Sequence, residues 1–129
     1  MMLDSSALVC LILGEPGHVE LQQRMLAAPL LTVGAPTLVE AAFVLTTRLR
    51  RDVRPLLNEF LREAEVEVVP FERNHFDAAV DAFLRYGKGR HAAALNFGDC
   101  LSYAMARVAG MPLLYTGKDF SRTDLARVE

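Results

Sequence analysis

Four acidic residues stand where carboxylates can do chemistry: Asp4, Glu40, Asp99 and Asp119. Asp4 follows the short apolar run Met1–Leu3. Asp119 comes four residues after Tyr115, which ends the run Leu113–Tyr115. Glu40 falls in the first turns of a helical stretch after the run Leu30–Val33, and Asp99 opens the helical stretch that precedes Leu113. If the runs are parallel strands, at least three of these acids approach one edge of the sheet. Carboxylates that converge repel one another and are driven toward their neutral forms. A hard divalent cation, Mg2+ or Mn2+, removes that penalty because it prefers carboxylate and water oxygens. Such an ion can activate a water and shield a phosphodiester in the transition state. The chemistry indicated is metal-dependent hydrolysis of a phosphodiester.

Each acid also has a purely structural reading. Glu40 follows Thr37 by three residues, the spacing of a helix capping box. Asp99 follows Asn96 by three and sits where a helix N-terminus favours negative charge. Asp119, in the segment GKDF, suits a turn. Asp4 is the hardest to explain locally. It lies among Met2, Leu3, Ala7 and Leu8, where a carboxylate is costly unless paired or bound to metal.

Basic residues lie close to two of the acids. Lys88, Arg90 and His91 precede Asp99, with Arg85 one turn earlier, and Lys118 adjoins Asp119. Lys and Arg contacts to phosphate supply most non-specific nucleic-acid affinity, so Lys88, Arg90 and Lys118 are the candidate nucleic-acid contacts. Gly87 and Gly89 would let the backbone approach a nucleic-acid strand closely. His91, a lone histidine on a loop, is read as incidental. Arg48, Arg50, Arg51 and Arg54 form a second cluster, read mostly as solvated surface. No aromatic platform of the RRM kind is present, so base identity would fall to pocket shape.

These residues need a scaffold. The chain has 129 residues, 52% apolar and 23% charged, enough for one domain, 1–129, with its own core. The formal net charge of −2 lacks the basic excess usual in nucleic-acid binders, so such a role must rest on a local basic patch or on metal. Cys10 and Cys100 each lie in an apolar helical stretch without a CxxC partner, which suggests buried, reduced thiols. The opening MMLDSSALVCLIL lacks a basic n-region and is interrupted by Asp4, which argues against a signal peptide. No stretch reaches the roughly 20 apolar residues of a membrane span. A cytoplasmic protein is expected.

Helical periodicity is expected over Ala7–Leu13, ending near Gly14, and from Pro16 to about Ala28. It recurs in Leu38/Ala41/Ala42/Leu45/Leu49, in Val53/Leu56/Leu57/Phe60/Leu61, and in Phe76/Ala79/Val80/Phe83/Leu84. A last helix, marked by Leu101, Ala104, Met105 and Val108, closes at Gly110 and Pro112. Strands are expected at Met1–Leu3, Leu30–Val33, Val66–Phe71 and Leu113–Tyr115, with Leu125–Val128 a fifth candidate. Short strands alternating with helices predict an α/β fold with a parallel sheet and helices on both faces. In such sheets the functional cleft lies beyond the carboxyl ends of the strands.

The segments LDSSAL, TLVEAAFVL, LNFGDCLSYAMA and PLLYTGKDF occur in that order and together resemble the PIN domain. More closely, they resemble the VapC toxins of bacterial toxin–antitoxin pairs, from Met1 to about Leu125. The resemblance implies a PIN-like three-layer α/β/α fold with a short central parallel sheet of four to five strands. It implies an endoribonuclease toxin that needs Mg2+ or Mn2+. Asp4 and Asp99 match the principal metal ligands of the family, Glu40 the acid of the following-helix motif, and Asp119 the fourth acid. Ser6 matches the hydroxyl residue that supports the first acid, and Asn96 the polar residue before the NFGD helix. A VapB-like antitoxin that inserts into the active-site groove, and a homodimer, are the partners implied. The rival expectations are a structure-specific DNA nuclease on the same fold, and a non-catalytic nucleic-acid or antitoxin binding module.

Overall fold

The computed structural model describes residues 1–125, in which strands and helices alternate along the chain. The order is β1 (Met2–Leu3), α1 (Ser5–Leu13), α2 (His18–Ala27), β2 (Leu31–Gly34), α3 (Ala35–Leu49), α4 (Arg54–Glu63), β3 (Val66–Val69), α5 (Arg73–Tyr86), α6 (Phe97–Ala109) and β4 (Leu113–Leu114). A 3-10 turn follows at Phe120–Arg122. The strands form one parallel sheet in the order β3-β2-β1-β4. Met2 lies opposite Thr32 and Leu113, and Leu3 opposite Val33 and Leu114.

Successive strand residues point to opposite faces, and the two apolar cores divide accordingly. Leu3, Leu31, Val33, Val66 and Leu114 pack with α1 to α4, whereas Met2 and Leu113 pack with α5 and α6. The result is the expected three-layer α/β/α arrangement with a parallel sheet. Gly34 tightens the second face, because a Cβ there would stand 2.5 Å from Met105 Cγ. The run that superficially resembles a signal peptide is α1. Ala7, Leu8, Val9, Cys10 and Leu11 are all buried, and a helix apolar all round is one enclosed by its neighbours.

Several boundaries differ from expectation. Helix α2 starts at His18, because Pro16 and Gly17 form a turn in which Gly17 takes φ +94°, inaccessible at low cost to other residues. Strand β3 stops at Val69 rather than Phe71, and β4 at Leu114. Leu125 is buried but outside any strand, and positions 126–128 of the fifth candidate lie outside the described residues.

Helix α5 is rotated from the orientation its large residues suggest. Phe76, Val80, Phe83 and Leu84 face outward, while His75, Ala82 and Tyr86 face in. Ala82 is fully buried in the α5–α6 core, where its small side chain admits close helix approach. Its neighbours Ala78 and Ala79 are half-buried. Among the described residues no helix is long and apolar enough to cross a membrane.

Candidate active site

The parallel sheet brings the exits of β1 and β4 side by side, and the acids gather around that edge. Asp4 leaves β1 directly, its backbone N–H donating to Leu114 O of β4 at 2.9 Å. It is the N-cap of α1 and only 4% exposed. Both oxygens of its carboxylate accept hydrogen bonds, and Ser6 is one of the donors, as the resemblance implies. Ser6 N–H and Ser6 Oγ donate to Oδ2 at 3.1 and 2.5 Å, and Ser102 Oγ donates to Oδ1 at 2.5 Å. The DSS sequence is itself an N-cap signal.

Glu40 does not form the expected capping box with Thr37. Helix α3 begins at Ala35 after its N-cap Gly34, so Thr37 lies inside the first turn, with its hydroxyl buried against Ser102 Oγ at 3.2 Å. Glu40 Oε1 instead accepts from Ser5 Oγ at 2.6 Å. Its carboxylate lies against the start of α6, where a Cβ on Gly98 would fall 2.0 Å from Glu40 Oε2. Glycine at that position is what admits the Glu40 carboxylate beside Asp99.

Asp99 and Asn96 make a reciprocal capping box. Asn96 Oδ1 accepts from Asp99 N–H at 2.8 Å, and Asp99 Oδ2 accepts from Asn96 N–H at 3.0 Å. Burial pushes the Asp99 carboxyl up to about 6. The Asn96 backbone N–H opposes that shift, and the nearby charges of Asp4, Asp119 and Glu40 add to it. The structure therefore brings all four acids into one electrostatic neighbourhood. Asp119 is the outlying member, exposed at the start of the 3-10 turn.

Lys88, Arg90 and Lys118 are exposed, and the Arg90 guanidinium lies 5.4 Å from the Phe83 ring centroid. Arg85 does not join them. Its guanidinium bonds to the Tyr86 hydroxyl at 2.9 Å and to Asp124 at 3.3 Å. Asp124 also accepts from Tyr103 at 2.6 Å and pairs with Arg107 at 3.2 Å, so Arg85 belongs to a clasp on the C-terminal segment. Gly87 also packs tightly, since a Cβ there would meet Phe83 O at 2.4 Å. Gly89 takes φ +84° in a turn. His91 Nδ1 accepts from Ala93 N–H at 2.9 Å, which fits its reading as incidental. Arg48 and Arg54 pair with Glu15 and Asp52 on the surface, in line with the solvated reading.

Sequence reasoning missed Ser5, Thr37, Gly98, Ser102 and Thr116. One signal was available: Ser102 follows Asp99 by three and so shares its helix face. An open recess lined by Leu11, Met25, Leu31, Phe60 and Ala64 sits at the start of β2, and none of the four acids lines it.

A profile of the PIN domain matches residues 1–125. The chain belongs to the PIN domain family. Its relatives within that family are VapC ribonucleases. Ribonuclease VapC36 of Mycobacterium tuberculosis is 45% identical over 126 residues, covering 97% of this chain and 91% of its own. Ribonuclease VapC of Mycolicibacterium smegmatis is 41% identical over 128 residues, covering 99% of each. The crystal structure of VapC20 from Mycobacterium tuberculosis, described as a sarcin-ricin loop cleaving toxin, superposes with a TM-score of 0.79 at 19% identity, over 99% of this chain and 98% of that one. A toxin–antitoxin complex from Klebsiella pneumoniae gives 0.70 at 17% identity, over 95% and 92%. At those identities the two structures support the fold alone.

The donor set of this PIN domain suits Mg2+ or Mn2+, being made of carboxylate oxygens. Burial raises the Asp99 carboxyl first, and the charges of Asp4, Asp119 and Glu40 add to it, so a cation there would offset both. Arg24, Arg48, Arg54, Arg85 and Arg107 pair with acids outside the group. Among the described residues, however, no three of His, Cys, Asp or Glu draw close enough to enclose an ion by themselves. Mg2+ keeps several waters and commonly takes one or two protein carboxylates. The residues therefore fit a water-rich ion held on one side, rather than a closed cage.

Proposed function

We propose that this chain is a Mg2+- or Mn2+-dependent endoribonuclease toxin of a type II toxin–antitoxin pair, neutralised by a VapB-like antitoxin. One observation supports the site above others: the Asp99 carboxyl, pushed up to about 6, amid Asp4, Glu40 and Asp119 at the carboxyl edge of a parallel sheet. Asp4 and Asp99 are the principal ligands, with Glu40 and Asp119 acting on the ion through its waters. When bound, the cation supplies an activated water and shields the phosphodiester.

The chain's own residues do the remaining work. Ser6 and Ser102 hold both oxygens of Asp4, Ser5 holds Glu40, and Asn96 holds Asp99 at the helix start. Lys88, Arg90 and Lys118 contact backbone phosphates of single-stranded RNA, which reconciles RNA binding with a net charge of −2. The outward apolar face of α5, with Phe76 56% and Leu84 54% exposed, supports a partner-covered surface and hence the homodimer. Names of relatives and the antitoxin complex among the structural neighbours support the toxin–antitoxin assignment. A toxin of this kind acts in the cytoplasm on cellular RNA.

The deciding experiment is RNA cleavage by purified Asp4→Asn and Asp99→Asn proteins with Mn2+. Each should lose at least about 100-fold relative to the parent, the scale of a lost electrostatic contributor. Full activity in both would exclude the site. Parallel assays on single-stranded RNA, duplex DNA and flap DNA should show cleavage of RNA only.

A further inference from the structure

Two buried hydroxyls stand behind Asp4, and what they do for its carboxylate goes beyond holding it in place. Ser102 on α6 is 1% exposed and Thr37 on α3 is 2% exposed. Hydroxyls in such a place are costly unless their bonds are satisfied. Ser102 Oγ donates to Asp4 Oδ1 at 2.5 Å, and Thr37 Oγ1 stands 3.2 Å from Ser102 Oγ.

A hydroxyl carries one proton. The proton of Ser102 is committed to the Asp4 carboxylate, so Thr37 must donate in the second contact. The other oxygen of Asp4 repeats the pattern. Thr116 N–H donates to Ser6 Oγ at 3.0 Å, and Ser6 Oγ donates to Asp4 Oδ2 at 2.5 Å. Two donor chains therefore end on one carboxylate, one from α3 through α6 and one from the exit of β4 through α1. Within each chain the first bond polarises the donor of the second.

We infer that Ser102, backed by Thr37, is a positioning residue for Asp4: it fixes the plane of the carboxylate so that its remaining lone pairs face the cation. This rests on the metal-site reading proposed above. Each carboxylate oxygen accepts about two bonds, so holding one lone pair on Oδ1 leaves another for an ion. Ser102 lies on the buried side of Asp4 and is not itself a ligand. Partners that orient metal ligands in this way typically change metal affinity by about 10–100-fold when removed.

The test uses full-length protein and counts free Mn2+ by electron paramagnetic resonance during titration. The variants are Ser102→Ala, Thr37→Val and Asp4→Asn, each first checked by a thermal melt in EDTA. Ser102→Ala should weaken Mn2+ binding about tenfold or more. Thr37→Val, which keeps the shape and removes the donor, should weaken it a few-fold, about 2–5. Excess Mn2+ should return RNA cleavage by Ser102→Ala to within a few-fold of the parent, which a folding defect would not allow. Binding by Ser102→Ala within about twofold of the parent, while Asp4→Asn binds poorly, overturns the positioning role and leaves the metal site standing. Parental Mn2+ binding by Asp4→Asn overturns both. If Ser102→Ala fails to fold, unchanged binding in Thr37→Val refutes the relay.

Discussion

The Asp99 carboxyl should make the stability of the metal-free and metal-loaded proteins respond to pH with opposite signs. Its value rises from 3.8 to about 6 on folding, chiefly through burial. A group raised on folding contributes its stability below its unfolded value, and that contribution is lost as pH rises through the folded value. In EDTA the protein should therefore be more stable at about pH 4.5 than at about pH 7.5 as far as Asp99 is concerned. A shift of two units is worth about 3 kcal/mol in full, of which about two thirds falls between about pH 4.5 and 7.5, and the group is only about half buried, so solvent screening reduces the change to about 1 kcal/mol. For a chain of this length that is about 4 °C in Tm.

The variant Asp99→Asn isolates the effect. Asparagine can still accept from Asn96 N–H, so the capping box of α6 survives while the titration disappears. The difference between parent and variant melts in EDTA should slope downward between about pH 4.5 and 7.5. Manganese should reverse the trend, because the ion binds the deprotonated ligand. With the folded value near 6, apparent affinity at about pH 5 should be about tenfold weaker than at about pH 7.5, and the Mn2+-induced rise in Tm should grow with pH. Differential scanning fluorimetry across that range reads both quantities. A parent-minus-variant difference flat in EDTA would refute the burial argument. A Mn2+ effect equal at both ends would refute Asp99 as a ligand.

Gly98→Ala should separate activity from stability. The new Cβ would collide with Glu40 Oε2, so RNA cleavage should fall by at least about tenfold, while Tm holds or rises because alanine favours a helix by about 0.5–1 kcal/mol. Tyr103→Phe removes the hydroxyl that donates to Asp124 in the C-terminal clasp. Urea denaturation should show a loss of about 1.5 kcal/mol, the usual scale of a hydrogen bond to a charged group, with m unchanged. The pair Lys88→Ala and Arg90→Ala should weaken RNA binding evenly across sequences. Removing either cation should flatten the slope of log affinity against log salt by about 0.7, as a filter-binding series would read.

How far the sequence disclosed this molecule depended on the scale of the pattern. Parallel strands alternating with helices were legible because βαβ order and the Gly14 and Gly110 helix stops are local signals. The facing of α5 was not. Its apolar stripe of Phe76, Val80, Phe83 and Leu84 has ideal helical spacing, yet the face that packs inward carries Ala82, because close approach to α6 rewards small residues over large ones. The acids were legible as positions but not as environments. Asp4 reads as stranded among apolar residues only when Ser102, distant in sequence, is out of view. Gly98 shows the same limit, since nothing local reveals that the Glu40 carboxylate occupies the space where its Cβ would be.

Capping and catalysis are not competing readings of these acids. Asp4 is the N-cap of α1 and Asp99 completes the capping box of α6, so each is fixed by the backbone of the helix it begins. A carboxylate has two oxygens and about four acceptor sites, so one set of bonds can anchor it while others remain for a ligand. Helix starts at the carboxyl edge of a parallel sheet therefore provide rigid mounting points for charge. This dictates the choice of substitution. Alanine at Asp4 or Asp99 would remove the cap as well as the charge, at about 1 kcal/mol of stability, and would confuse unfolding with loss of function. Asparagine retains one acceptor oxygen for the backbone N–H and removes the charge; at Asp4 it also sets an NH2 donor in place of the second oxygen, which Ser102 can meet only by accepting. If Asp99→Asn folds as well as the parent in EDTA at about pH 7.5, or better, and no longer binds Mn2+, the charge serves the ion and not the fold.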